Sequence, residues 1–475
     1  MLDAATTRKA LKISTIEGAS ATVHLVITTG AFLTGYALLL GANDFELGLL
    51  TAIPLLTQIF QVAGAYLVEK TGKRKAVATW GLFIGRSMWL PIALIPALPV
   101  SEPVRLFILL FGLAGLASNF ATPAWVAWMT DLVPRRLRGR YFGKRNRIVA
   151  LVTMLVSLFA GVILDLARGA NHPYFGYLTL QLLAVAAAAL AFYFLRRQPE
   201  PPYRAEWTPD FAHYISRPLN HTNYRRVILF YLWWVAAVGL AAPFFSAHLI
   251  KHLQWNFKSI AYLGILSSAT SVLVQPWWGK AVDRYGHKPV ITVTVLGMAH
   301  LPLYYALCPY DVRWPIYANA LLAGVFWSGF NLAMFNLVMY ALPNHGRPGF
   351  IAIHAALSGV TNFVASSFGG WLAEMLSSVH WHVLGLTVVN YQLLFLLTAL
   401  LRSPGLLILK QIDEPEAKRT GVLVRQVFIE VNRRMGYGRQ VFMLPIVNGR
   451  KKLRSVRENR KNRKKNASTA TKPSG

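Results

Sequence analysis

Apolar residues run in long stretches along most of the chain instead of alternating with polar ones. Between charged or Pro/Gly-rich breaks they form twelve segments: 20–41, 47–68, 77–99, 105–128, 147–167 and 175–195, then, after a polar gap, 226–249, 260–279, 288–308, 315–342, 350–377 and 382–402. Each is near the roughly 20 residues an α-helix needs to cross about 30 Å of hydrocarbon. Lipid forces a backbone to satisfy its own hydrogen bonds, and the runs lack the short dyad pattern of membrane strands, so the spacing predicts twelve transmembrane helices. The residues before Val23 carry Lys and Arg with no small-residue cleavage site after a short core, so the first run reads as a retained span.

Charge changes meaning in that setting. The 49 Lys+Arg against 19 Asp+Glu leave +30 over 475 residues, which alone suggests a nucleic-acid binder. Yet 55% of residues are hydrophobic and only 14% charged, where soluble proteins carry about 25% charged residues. The bases also sit in alternate loops: Lys70, Lys73, Arg74 and Lys75 after the second run, and Arg135 to Arg147 after the fourth, against Arg105, Arg168, Lys251, Lys258 and Arg313 in the opposite set. Short Lys/Arg-rich loops stay in the cytoplasm. Both termini and the central loop with Pro199, Pro201 and Pro202 are therefore expected there, with the chain in the cytoplasmic membrane of a bacterium.

The two sets of six spans look like copies. Gly64-Ala65-Tyr66-Leu67-Val68-Glu69-Lys70-Thr71-Gly72-Lys73-Arg74-Lys75 follows the second span, and Gly279-Lys280-Ala281-Val282-Asp283-Arg284-Tyr285-Gly286-His287-Lys288 follows the eighth. Gly72 and Gly286 are the matching glycines of the two loops. Leu132-Val133-Pro134 and Ala341-Leu342-Pro343, each followed by bases, recur at nearly the same interval. An even number of spans per copy means that both halves enter from the same side. The expected organisation is a six-helix bundle at 1–198, a central loop at 199–225, a second bundle at 226–410 and a basic tail at 411–475.

These residues resemble the major facilitator superfamily of secondary transporters, MFS. Gly279, Asp283, Arg284, Gly286 and Lys288 match that family's G-x-x-x-D-R-x-G-x-[RK] loop, with a looser first copy at Glu69, Lys70, Gly72, Lys73 and Arg74, over about residues 17–402. The resemblance implies an all-α integral membrane fold of two six-helix bundles related by a parallel pseudo-repeat, transport by alternating access, and no cofactor. It also implies that the loops latch the cytoplasmic side, with Glu69 set against Lys73 and Asp131. In the second copy Asp283, Arg284 and Arg347 are the counterparts, but Tyr340 stands where Asp131 would recur, so a complete second charge cluster is in doubt. Purely topogenic loops are the alternative reading.

In the family the first, fourth, seventh and tenth spans line a mid-membrane cavity between the halves. Here they carry His24, Thr28, Asn119, Trp125, Trp233, Trp234, Trp327 and Asn331, and the eleventh span adds Asn362. Polar side chains in lipid need partners, so the set suggests a wet cleft, although Asn can knit helices and Trp can simply pack. Arg86, near the middle of the third span, is a costly residue that could hold an anion or be satisfied by helix-end carbonyls or a carboxylate such as Asp165. Glu17, Asp44, Asp165 and Glu374 all read as lying near span ends, which leaves no mid-membrane acid. Proton coupling is then an implication of the family alone.

The tail at 411–475 holds 17 Lys and Arg against 5 Asp and Glu. Val424, Val427, Phe428, Val431 and Met435 recur at helical steps among arginines, which predicts a helix lying on an anionic leaflet, followed by a disordered polar end. Membrane lipid is the expected partner of this tail and nucleic acid is not, since stacking aromatics are missing from the final stretch. No Walker-type loop and no H-E-x-x-H motif occurs, so neither ATP-driven pumping nor enzyme chemistry is expected. Cys308, the single cysteine, excludes an internal disulfide or a thiolate metal cluster. A monomer moving a small molecule is the favoured reading; a non-transporting membrane sensor or scaffold with the tail as its output is the alternative.

Overall fold

The computed structural model describes residues 4–133, 138–201, 222–309, 312–341, 347–383 and 386–426. Most of the central loop and of the tail, including the surface helix and polar end expected there, lies outside the described residues. The first span is bent: α1 (Ala4–Ile27) and α2 (Gly30–Leu39) meet at 41°. In the second, α3 (Asp44–Leu56) passes through a 3₁₀ turn into α4 (Phe60–Thr71), and α5 (Arg74–Ser87) with α6 (Trp89–Leu94) forms the third. The half ends with α7 (Pro103–Leu132), α8 (Arg138–Gly169) and α9 (Pro173–Arg197).

The second half repeats this plan. Its seventh span joins α10 (Thr222–Gly239) to α11 (Phe244–Ala247) and a π turn; then come α12 (Phe257–Tyr285) and α13 (His287–Ala299) with α14 (Leu301–Ala306). The last three are α15 (Trp314–Ala341), α16 (Arg347–Met375), and α17 (Asn390–Arg402) with α18 (Gly405–Lys410). Ten helices among the described residues are long and apolar enough to cross a membrane, and the bent first pair makes eleven. The 29-residue α16, packed along α3, completes the twelve.

Helices α1 and α8 begin at Ala4 and Arg138, ahead of the apolar runs they carry, and the fifth candidate span is Lys144–Gly169. Hydropathy marks where lipid begins, whereas Ala, Lys and Arg favour helix beyond it. The run expected as a span at 382–402 starts with a hairpin, β1 (His380–Val383) antiparallel to β2 (Leu386–Val389), with His380 opposite Val389. The β-branched Val383, Thr387, Val388 and Val389 suit strands, so the all-α reading acquires one hairpin.

The largest buried cluster joins the halves: Tyr36, Leu47, Trp89 and Phe107 belong to it with Phe244, Phe257, Tyr391 and Phe395. Helix α3 lies against α16 and α8 against α12 at backbone distance. A Cβ on Gly48 would come within 2.6 Å of the Ser366 carbonyl oxygen, and one on Gly161 within 2.9 Å of the Lys258 nitrogen. At the end of the bundle where the second span begins, buried Asp44 accepts hydrogen bonds from Lys251 Nζ at 3.1 Å, Asn390 Nδ2 at 2.7 Å and the Tyr391 hydroxyl, while its own N–H donates to Glu374 at 3.0 Å. The first half is thereby latched to the second at this end. The compact unit runs from Met1 to Pro415, slightly past the expected start of the tail.

Candidate functional site

A cavity of about 380 Å³ lies within the first bundle and is lined by that half alone. Glu17, Ala21 and His24 line it from α1, spaced so that they share one helical face, and Thr28 from the break just past its end. Arg86 reaches it from the end of α5, just before the break to α6; Ser118 and Trp125 come from α7, and Arg145 from the early turns of α8.

Glu17 is 2% exposed, and its nearest ion-pair partner is Arg145 Nη2 at 3.8 Å, beyond hydrogen-bond range. The Glu17 Oε2, Trp125 Nε1 and Arg145 Nε atoms are buried without hydrogen-bond partners. Native interiors rarely leave such groups unpaired. The Arg145 guanidinium lies 5.4 Å from the centre of the Trp125 ring, pressed so closely on Gly18 that a Cβ there would collide with it. Arg86 shares the cavity with Glu17, whereas the Asp165 oxygens accept from the Phe257 and Lys258 N–H groups. Glu17 therefore belongs to the cavity. It and Arg145 were missed because hydropathy placed both outside the spans; the signal that could have found Glu17 is its place two helical turns before His24.

The candidates divide. His24, Thr28, Arg86 and Trp125 line this cavity. Asn119 does not: it donates to the Pro54 carbonyl at 3.1 Å and to Thr57 Oγ1 at 2.9 Å, and accepts from Gln61 at 3.0 Å. Proline inside α3 interrupts the helical ladder, and the amide stitches the gap. Asn362 accepts from Ser366 at 3.0 Å beside Gly239, a contact between the seventh and eleventh spans. Trp233 donates to the Leu401 carbonyl at 2.9 Å next to an apolar groove with Val364 and Phe368. Trp234 lies against Trp327 and Phe330, under Arg402, and Asn331 is exposed.

At the helix ends near the termini, the base facing Asp131 is Arg74 and not Lys73. Arg74 is fully buried, 2.5 Å from Asp131, 3.5 Å from Glu200 and 2.8 Å from the Pro201 carbonyl oxygen, while Lys73 is exposed. Gly72, at φ +68°, makes the reversal before it. The second half repeats the clamp with other chemistry. Glu414 accepts from the N–H groups of His287 at 2.8 Å and Lys288 at 2.9 Å, and pairs with the His287 ring at 2.5 Å. Burial alone would push the Glu414 carboxyl up, but the His287 ring and the two N–H groups outweigh it and hold the carboxyl below its ordinary value.

Glu200-Pro201 and Glu414-Pro415 are separated by the same interval as Gly72 and Gly286, a third landmark of the repeat. Tyr340 faces the His287 ring at 6.0 Å, where the first half has Asp131. Asp283 is exposed and makes no ion pair among the described residues, and Arg284 lies over the Tyr285 ring. The Glu69 and Arg347 side chains lie outside the described residues. No group of His, Cys, Asp and Glu among the described residues could hold a metal ion.

The Major Facilitator Superfamily model matches residues 19–244 and 227–460. An uncharacterised MFS-type transporter of Methanocaldococcus jannaschii is 20% identical over 352 residues, covering 72% of this chain and 85% of its own length. Among solved structures, a nucleoside transporter, NupG, superposes with a TM-score of 0.62 at 12% identity, over 86% of this chain and all of its own. A D-xylose–proton symporter gives 0.63 at 15%, covering 86% and 98%. A bacterial homologue of the human lysosomal transporter Spinster, inward-facing and occupied, gives 0.64 at 12%, covering 88% and 100%.

Proposed function

The chain belongs to the major facilitator superfamily of secondary transporters, and on that premise we propose that it moves a small organic solute by alternating access, with the solute held in the first-bundle cavity. The observation that carries this reading is a space of about 380 Å³ lined by Glu17, His24, Arg86, Trp125 and Arg145, within the range of small-molecule sites. The latches at Asp44 and Asp165 hold one end of the molecule shut. Releasing them, while the halves close around the Arg74–Asp131 and Glu414–His287 ends, would expose the cavity to the other side.

Glu17 is the one carboxylate in the lining among the described residues, which suits it to take up and release a proton during the cycle. The Lys and Arg of alternate loops support termini in the cytoplasm, in a bacterial inner membrane, with the basic tail resting on anionic lipid and the protein acting as a monomer without catalysis or cofactor. Reconstituted full-length protein should show solute counterflow that Arg86→Gln abolishes, that persists in Glu17→Gln without accumulation driven by a pH gradient, and that survives truncation after residue 426. Absence of flux for every solute that binds, or a phenotype lost with the tail alone, would overturn the reading in favour of a sensor.

A further inference from the structure

The charges of the cavity identify a class of solute. Its titratable lining consists of Glu17, His24, Arg86 and Arg145. His24 Nδ1 lies 3.2 Å from the Ala184 carbonyl oxygen, which can only accept, so that nitrogen bears a hydrogen and is occupied. Two guanidinium groups then face a single carboxylate. The excess positive charge is largely buried, with the Arg145 side chain 14% exposed, and buried uncompensated charge is costly. Arg145 is held only loosely by Glu17, at 3.8 Å, and its buried Nε is unpartnered.

We propose that the cavity binds a small organic monoanion, its carboxylate seated between Arg86 and Arg145 and its apolar or aromatic body against Trp89 and Trp125. The inference rests on the cavity being the solute site. While Glu17 is ionised, a monoanion neutralises the excess charge, whereas a neutral sugar leaves it standing, a cation increases it and a dianion reverses it. Guanidinium groups suit the task because their planar fork meets a carboxylate with two hydrogen bonds. Glu17 acts as a placeholder: it offsets part of the charge while the site is empty and gives up Arg145 when the solute's carboxylate arrives.

The test uses full-length protein in lipid nanodiscs and matched probes: benzoate, phenylacetate and indole-3-acetate against benzamide, phenylacetamide and indole-3-acetamide. At least one acid should bind at least about tenfold more tightly than its amide. Arg86→Gln and Arg145→Gln should each remove that preference, Arg145→Lys should restore part of it, and Glu17→Gln should tighten acid binding. Size-exclusion profiles and melting temperatures separate lost recognition from lost folding, and the partial rescue by lysine does so independently. Acids and amides binding alike, no acid binding, or a preference that persists in both Arg→Gln variants would overturn the proposal. Counterflow keeps the two readings apart: an acid that binds but is never carried refutes transport and leaves the anion site standing, whereas a neutral solute carried through the cavity refutes the anion and leaves transport.

Discussion

The Asp165 carboxylate, borne by the fifth span, accepts a hydrogen bond of 2.8 Å from the N–H of Phe257, the first residue of the eighth, and a second of 2.8 Å from Lys258. An acid from one half thus caps a helix of the other. Free N–H groups and the partial positive charge of a helix start favour an anion there. Asp165→Ala should cost the latched state about 1–2 kcal/mol, shifting the population about five- to thirtyfold toward opening at this end. A cysteine placed at Ser246, which lines a separate cavity of about 370 Å³ between Phe32 and Ser157 of the first half and Phe245 and Phe257 of the second, should then react faster with maleimide. Native Cys308 is buried, so its background labelling should be low, and an unchanged rate would show that Asp165 is no latch.

Arg74 and Asp131 should be unequal in mutation although they form one ion pair. Arg74 is wholly buried and also bonds the Pro201 carbonyl, whereas the Asp131 side chain is 48% exposed. Arg74→Ala strands the buried Pro201 carbonyl and empties the space of a wholly buried side chain, and should lower stability by about 2–3 kcal/mol. Asp131→Asn leaves Glu200 and Pro201 in place and should cost less than about 1 kcal/mol. Thermal unfolding in one detergent compares them directly; equal losses would contradict the asymmetry.

The Glu414 clamp should respond to acid. Its carboxyl is held below the ordinary value of 4.5, so the folded protein favours the ionised form more than the unfolded chain does. The stability it contributes is therefore fully present above about pH 4.5 and is lost as the pH falls through the depressed folded value. Glu414→Gln should lower the melting temperature at neutral pH and flatten its fall between about pH 5 and pH 3. A variant as steep as the parent in that window would exclude Glu414 as the source.

Asn119 should prove structural. Because both amide hydrogens and the carbonyl serve the break around Pro54 and Thr57, Asn119→Leu should cost about 1–3 kcal/mol of stability by leaving those groups unpaired. Ligand preference should stay as in the parent. A changed preference with unchanged melting temperature would return Asn119 to the binding set.

The repeated landmarks show how far the chain could be read without its fold. Gly72 and Gly286 mark equivalent turns in the two halves. Glu200-Pro201 and Glu414-Pro415 recur at the same interval, but two short dipeptides mean little until both glutamates are seen closing the start of a helix. The site was half legible. His24, Thr28, Arg86 and Trp125 stand out as polar or aromatic residues in apolar spans, while Glu17 and Arg145 were hidden in flanks that hydropathy assigns to water.

What the sequence by itself determined is the membrane, the twelve spans and the division into halves, because lipid imposes length, apolarity and internal hydrogen bonding on every crossing segment. The tertiary structure decided which polar residues share a space. Helices α1 and α8 begin ahead of the apolar runs and so include Glu17 and Arg145, and the packing of α1, α5, α7 and α8 places them with Arg86 around one cavity. The same packing gives Asn119 to a proline break and Asp165 to a helix start. Periodicity can name the face of a helix, but only the packed neighbours settle whether a buried polar group there is satisfied or left open for a solute.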